Sequence, residues 1–153
     1  MTATNMSNRY FTRRAAPAVA PFLAGAIATT IAFLLLKDSF PSKVATHFTL
    51  DGTADGFSSP ATAFGQYMLL FTAEAAGSVA AVFSAKAASR VRPLVVFSCA
   101  LSAATTYLLV AAMQANTARD SETAQLPLYQ LAMAVAVGAV TGAVGWLLSR
   151  RRA

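Results

Sequence analysis

Four long apolar runs separated by polar connections dominate the pattern of this chain. Each run holds about 22 residues, or about 30 Å of helix, which matches the hydrocarbon thickness of a bilayer. The pattern therefore predicts an all-α membrane protein that crosses the bilayer four times. The predicted transmembrane helices are residues 15–36, 64–85, 93–114 and 128–149.

The polar segments between and around these runs predict the connections and tails. The longest connection contains an alternating stretch from Val44 to Leu50, followed by the turn dipeptides Asp51-Gly52 and Asp55-Gly56. Alternation and turn dipeptides are typical of a small β-ribbon, so a short loop or β-ribbon is expected between helices 1 and 2. The predicted segments are the tail 1–14, the loop 37–63, the connections 86–92 and 115–127, and the tail 150–153.

Composition agrees with a membrane protein. The chain of 153 residues is 56% hydrophobic and only 12% charged, whereas about 25% is usual for a soluble domain. The net charge of +6 does not indicate nucleic-acid binding, because the cations cluster at the ends of apolar runs instead of forming a patch on a polar surface. We expect the lipid bilayer, and no nucleic acid, as a partner.

The distribution of Lys and Arg predicts the orientation, because cytoplasmic flanks of transmembrane helices are enriched in these residues. Both tails and the second connection would lie in the cytoplasm, and the first and third connections outside it. The cytoplasmic group comprises Arg9, Arg13, Arg14, Lys86, Arg90, Arg92, Arg150, Arg151 and Arg152, against Lys37, Lys43 and Arg119 on the other side.

Small residues mark the expected helix contacts. Helices in lipid associate through close packing, so interfaces are rich in glycine and alanine. Gly138, Gly142 and Gly145 make one smooth face on the fourth helix. This face fits either packing within the bundle or homodimerisation, and the spacing alone leaves both open.

Glu74 is the only ionisable residue deep within a predicted helix. An ionised carboxylate at the bilayer centre costs about 2.5–3.5 kcal/mol or more, so it should face the bundle, be protonated or find a partner. We expect a protonated carboxyl hydrogen-bonded to Ser98, Ser102, Thr105 or Gln130. Such a group could shuttle protons in a small transporter, or serve only as a structural hydrogen bond.

The first loop brings together residues that could carry chemistry. His47, Asp51 and Asp55 are suitable ligands for a divalent metal, but their spacing matches no metal motif. The alternative is that His47 orders the loop through a hydrogen bond while the aspartates stabilise turns. Neither a metal nor another cofactor is predicted, and since no catalytic motif occurs along the chain, we expect a protein that is not an enzyme.

The same loop resembles a known family. Members of the family named domain of unknown function 1648 carry a proline, a hydrophobic-x-Thr-His-Phe/Trp segment and Gly-x-x-Asp-Gly between their first two helices. Here these positions are Pro41, Val44-Ala45-Thr46-His47-Phe48, Gly52 and Asp55-Gly56.

This family includes the amino-terminal part of SdpI-like bacterial membrane proteins, which confer immunity to a secreted toxin and can signal by sequestering a repressor. The resemblance implies a bacterial plasma membrane and a role in immunity or signalling. Our leading hypothesis is that the outer loop binds an extracytoplasmic peptide or a membrane-protein partner. The alternatives are a proton-coupled small transporter centred on Glu74 and a structural subunit of a larger complex. The predicted binding residues are Thr46, His47, Phe48, Gly52, Asp55 and Gly56.

Overall fold

A computed structural model describes residues 3–85, 91–117 and 123–150, with side chains described from residue 15 onwards except at 149. The predicted connection 86–92 and the predicted loop 115–127 therefore lie partly outside the described residues, as does most of the tail 150–153. The elements are helices α1 (Ala3–Leu36), α2 (Pro60–Ser84), α3 (Val91–Ala115) and α4 (Tyr129–Arg150), strands β1 (Val44–Phe48) and β2 (Ala54–Ser58), and a 3₁₀ turn (Lys37–Ser39).

The fold class expected from the sequence is confirmed. Four helices in the described part of the chain are long and apolar enough to cross a membrane, and a two-stranded antiparallel hairpin connects α1 to α2. Large apolar side chains face outward, as Leu35 does with 78% of its surface exposed. Buried polar residues such as Ser98 and Ser102 face inward. This arrangement suits a lipid surround, so the chain is a multi-pass membrane protein.

Two helices begin earlier than the apolar runs suggest. Helix α1 starts at Ala3, within the segment predicted as a tail, and continues through Pro17 and Pro21. Helix α2 starts at Pro60, where the Ser59 hydroxyl accepts a hydrogen bond from the Thr62 N–H at 3.2 Å. A serine cap followed by proline is a strong helix start. Hydropathy locates the membrane segment, whereas caps and breakers decide where the helix ends.

Three helices meet at Gly25. Helix α1 lies against α2 and α3, and a Cβ atom at Gly25 would lie 2.6 Å from Ser102 Oγ, 2.6 Å from Thr106 Oγ1 and 2.8 Å from Phe71 Cε1. The Ser102 hydroxyl donates to the Pro21 carbonyl at 2.7 Å. The absence of a side chain at Gly25 is therefore what allows this approach.

Helix α4 packs against α3 through the predicted glycine face. A Cβ at Gly138 would lie 2.8 Å from the Ala100 carbonyl oxygen, and one at Gly142 would lie 3.3 Å from Ala100 Cβ. A Cβ at Gly145 would meet no described atom within 4 Å. Two of the three glycines thus contact α3 within the same chain, and the third does not.

The end of the bundle opposite the hairpin is marked by Trp146. The Arg92 guanidinium lies 4.7 Å from the centroid of the Trp146 ring, and that of Arg150 lies 5.5 Å from it. Arg92 also donates to the Trp146 carbonyl at 3.2 Å. The start of α3 and the end of α4 are thereby held together beside an interfacial aromatic residue.

Candidate functional site

The hairpin is attached to the bundle by its first strand. Val44 is buried in a cluster with Ala63 and Tyr67 of α2 and Met113 of α3. Ala45, the next residue, is also fully buried, so the two faces of β1 are covered at this end. The strand becomes exposed only towards His47. The hairpin therefore has a packed base and an exposed outer part.

A side-chain amide holds the backbone of β1. The Ala45 N–H donates to Asn116 Oδ1 at 2.6 Å, and Asn116 Nδ2 donates to the Ala45 carbonyl at 2.9 Å and to the Ala112 carbonyl at 2.9 Å. Asn116 is 1% exposed. Towards β1 the amide presents one donor and one acceptor, as the backbone of a neighbouring strand would. It therefore pairs with β1 in place of another strand. Asn116 was missed in the sequence analysis.

The tip of the hairpin is tied to the connection between α3 and α4. The Leu126 N–H donates to the Gly52 carbonyl at 2.9 Å, and Thr53 forms a β-bridge with Gln125. Gly52 has φ of +87°, and a Cβ there would lie 2.5 Å from the Leu126 carbonyl oxygen. Both the positive φ and the close approach require glycine at this position.

Asp51 stabilises the turn between the strands. Its carboxylate accepts hydrogen bonds from the Thr49 hydroxyl and, at 3.2 Å, from the Thr53 N–H. These bonds, the one from Thr49 first, lower the pKa of Asp51 below its ordinary value. Asp51 is thus occupied by the turn and does not lie with His47 and Asp55.

His47 and Asp55 form a pair on the exposed side of the hairpin. His47 Nδ1 is hydrogen-bonded to Asp55 Oδ1, and their side chains are 72% and 45% exposed. Gly56 lies opposite His47 in the register, and a Cβ there would lie 2.8 Å from His47 Cβ. The Thr46 hydroxyl donates to the Gly56 carbonyl at 3.4 Å. The geometry matches the alternative in which His47 orders the loop.

His47, Asp51 and Asp55 do not come together as a set of metal ligands. Among the described residues, no three His, Cys, Asp or Glu side chains lie together so as to hold a metal ion. The pair of His47 and Asp55 presents a ring nitrogen and a carboxylate oxygen at the surface, and both atoms can form hydrogen bonds.

An apolar groove lies under the other side of the hairpin. It has a volume of about 320 Å³ and runs between the hairpin, the connection before α4, and the adjoining helix ends. Phe48 lines this groove, whereas its neighbour His47 belongs to the exposed pair with Asp55. The segment that resembles the family motif therefore contributes to both. Other lining residues include Thr46, Leu50, Tyr67, Leu109, Leu126 and Leu128.

Glu74 lies near the middle of α2, well away from the hairpin motif. Of the four expected partners it contacts Thr105, whose hydroxyl donates to Glu74 Oε1 at 2.6 Å. Ser98 and Ser102 donate to backbone carbonyls instead, and Gln130 accepts from Tyr107. The second carboxyl oxygen, Oε2, is buried with no hydrogen-bond partner among the described residues.

The part of the chain that carries the hairpin can be compared with known proteins. Residues 24–71 match a family model that covers the end of α1, the whole hairpin and the first half of α2. That family is the domain of unknown function DUF1648. The resemblance seen in the loop motif is thereby confirmed for this segment.

The DUF1648 match separates two parts of the molecule. The matched segment contains the whole hairpin, including His47 and Asp55. It ends before Glu74 and does not reach α3 or α4. Asn116 and Leu126 hold the hairpin in place, and both lie outside the matched segment. No curated protein and no solved structure gives a significant match to the chain.

Proposed function

We propose that this protein is a non-enzymatic, SdpI-like membrane protein that binds an extracytoplasmic peptide or envelope partner through its hairpin. In this proposal it lies in a bacterial plasma membrane with both termini in the cytoplasm, as the Lys and Arg distribution indicates. Immunity to a secreted toxin, or signalling, would follow from that binding. The observation that carries the proposal is the fixed position of the hairpin, with the His47–Asp55 pair exposed.

Fixation matters because ordering a loop during binding costs free energy, and a loop that is already held avoids that cost. Asn116 holds the base of the hairpin and Leu126 holds its tip. The strand order also supports a peptide ligand. One edge of β1 is taken by Asn116 and the other by β2. In the described part of the chain, no strand pairs with the far edge of β2, where an extended peptide could add.

The test is site-specific photocrosslinking from the exposed side of the hairpin. A benzophenone amino acid replaces Phe57, which is 40% exposed on β2, and adducts are identified by mass spectrometry in intact cells. We expect an adduct with an extracytoplasmic peptide or envelope protein that is lost in His47→Ala and in Asp55→Ala. Lys43→Ala, an exposed change just before β1, is the matched control and should retain the adduct.

Membrane abundance must stay unchanged in all three variants, so that loss of binding is separated from loss of folding. An adduct that persists unchanged in both His47→Ala and Asp55→Ala would argue against hairpin binding.

A second candidate function is proton-coupled transport centred on Glu74. The observation that favours it is the buried Oε2 atom without a partner, in a carboxyl placed midway along a predicted membrane span. Proteoliposomes with an imposed pH gradient provide the test. The wild-type protein should couple substrate movement to the gradient, and Glu74→Gln should not; equal behaviour of the two would exclude this function.

A further inference from the structure

A cavity of about 270 Å³ lies between α2 and α3 and contains Glu74. Its walls are otherwise small or apolar. Helix α2 contributes Gly77, Ser78 and Ala81, and helix α3 contributes Phe97, Ser98 and Leu101. The Ser98 hydroxyl is already used, since it donates to the Leu94 carbonyl at 3.0 Å. Glu74 is the one acidic residue that lines this cavity, and its Oε2 atom is buried with no hydrogen-bond partner among the described residues.

The residues that line the cavity limit the class of ligand that it can bind. Calcium needs six to eight oxygen ligands and magnesium a full octahedron, whereas this cavity supplies one carboxyl group. A proton alone does not need such a volume. A ligand with one positive charge and an apolar body would pair with the carboxyl group of Glu74 and fill the rest of the cavity against the apolar side chains of Phe97 and Leu101.

We propose that this cavity binds an amphipathic organic monocation, with Glu74 Oε2 as its counter-charge. Thr105 is a positioning residue, because its hydroxyl holds Oε1 at 2.6 Å and leaves Oε2 for the ligand. The cation and a proton compete for the same carboxyl group, so binding weakens as the pH falls. This inference rests on the second candidate function and names the substrate class of that site; it is independent of the hairpin.

Among the side chains that the structure describes on α1 and α3, no other titratable group lines the cavity with Glu74, and His47 of β1 is paired with Asp55 on the exposed side of the hairpin. Helix α1 has no ionisable side chain over residues 15–36. On α3, Cys99 and Tyr107 line a different cavity, shared with α1 and α4, and Arg92 stacks on Trp146. The pH dependence of binding therefore reports Glu74.

The experiment measures binding of benzyltrimethylammonium to the full chain in detergent micelles by calorimetry between pH 5 and pH 8. This probe keeps its charge at every pH, so any pH dependence comes from the protein. We expect the affinity of the wild type to fall on acidification, by at most about tenfold per pH unit because one proton is exchanged. Micelles without protein give the background of partitioning.

Two variants separate charge from space. Glu74→Gln keeps an acceptor for Thr105 but removes the charge, and we expect at least a tenfold loss of affinity. Gly77→Leu keeps Glu74 and adds bulk to the cavity wall, because Gly77 lines the cavity and a Cβ there has open space around it; we expect a similar loss. Gly65→Leu makes the same change on the same helix, at another position with open space, and should stay within about twofold of the wild type.

Absence of binding by the wild type, or binding that Glu74→Gln leaves unchanged, would overturn the proposal. The transport candidate fails separately. If the probe binds with the expected pH dependence but no gradient-driven movement occurs in proteoliposomes, the site is a binding site and transport is excluded. If transport is coupled to the gradient but the probe does not bind, the ligand class assigned here is wrong.

Discussion

At the scale of single residues, Asn116 does for β1 what a neighbouring strand does in a larger sheet. It makes two buried hydrogen bonds to Ala45 and a third, partly buried, to Ala112. A buried polar group that loses its partner costs about 1–3 kcal/mol. The free energy of unfolding should therefore depend strongly on this one amide.

Asn116→Ala is predicted to destabilise the protein by about 1–3 kcal/mol for each backbone group that it leaves unpaired. The amide N–H of Ala45 should also exchange much faster with solvent. Thermal unfolding in detergent and hydrogen exchange measure the two effects. Gln114→Ala is the control, because Gln114 is exposed on the same helix turn; equal stability of the two variants would contradict the role given to Asn116.

Asp51 gives a pH-dependent prediction for the turn. Hydrogen bonds from Thr49 and Thr53 lower its pKa when the hairpin is formed. The stabilisation is therefore present above the ordinary aspartate pKa of about 4 and is lost as the pH falls through the lowered value. Carboxyl-carbon NMR should find the pKa of Asp51 below the ordinary aspartate value, and Asp51→Asn identifies its signal by removing it. A pKa of Asp51 above 4 would be the contrary result.

At the scale of elements, the glycine face of α4 shows why spacing alone is ambiguous. Gly138, Gly142 and Gly145 share one pattern in the sequence, yet only the first two meet Ala100 of α3. Which glycine sits at a contact depends on how the two helices are rotated and offset. Those quantities are set by side chains on both helices, and so they are not encoded in α4 by itself.

Gly138→Leu should separate α3 from α4, because a Cβ would meet the Ala100 carbonyl oxygen at 2.8 Å. Overpacking of this kind costs about 1–3 kcal/mol, occasionally more. Gly145→Leu makes the same chemical change in open space and should leave the melting temperature in detergent nearly unchanged. Similar melting temperatures for the two variants would show that the α3–α4 contact is not formed through Gly138.

At the scale of the whole molecule, hydropathy was sufficient to predict four helices and their order. Apolar length is a local property, and the Asp-Gly turns of the hairpin are local too. The attachment of the hairpin was not predictable in this way. Asn116 and Ala45 are 71 residues apart, and nothing near Asn116 in the sequence indicates that its partner is a strand.

The same difference between local patterns and contacts of distant residues applies to the candidate sites. His47 and Asp55 lie eight residues apart on one hairpin. The sequence placed both in the loop, but it assigned the aspartates to turns or to a metal site and did not predict the pair. For Glu74, the sequence predicted four hydroxyl or amide partners and the structure selects Thr105. The choice depends on the relative height of α2 and α3, which no local pattern specifies.

Orientation is also a property of the whole molecule, and it can be tested by labelling. In a Cys99→Ser background, which removes the single native cysteine, His47→Cys and Arg150→Cys place a thiol at opposite ends of the bundle. A membrane-impermeant maleimide should label position 47 in intact cells and position 150 only after lysis. The reverse result would invert the topology and remove the extracytoplasmic ligand from the proposal.

The double hydrogen bond between Ala45 and Asn116 has a mechanical consequence. A force that lifts the hairpin away from the bilayer is transmitted to the carboxyl end of α3, because both hydrogen bonds must break before the hairpin and α3 can separate. Further along the same helix, Thr105 touches the carboxyl group of Glu74. Helix α3 therefore connects a force on the hairpin at the surface to the hydration of a carboxyl group in mid-membrane.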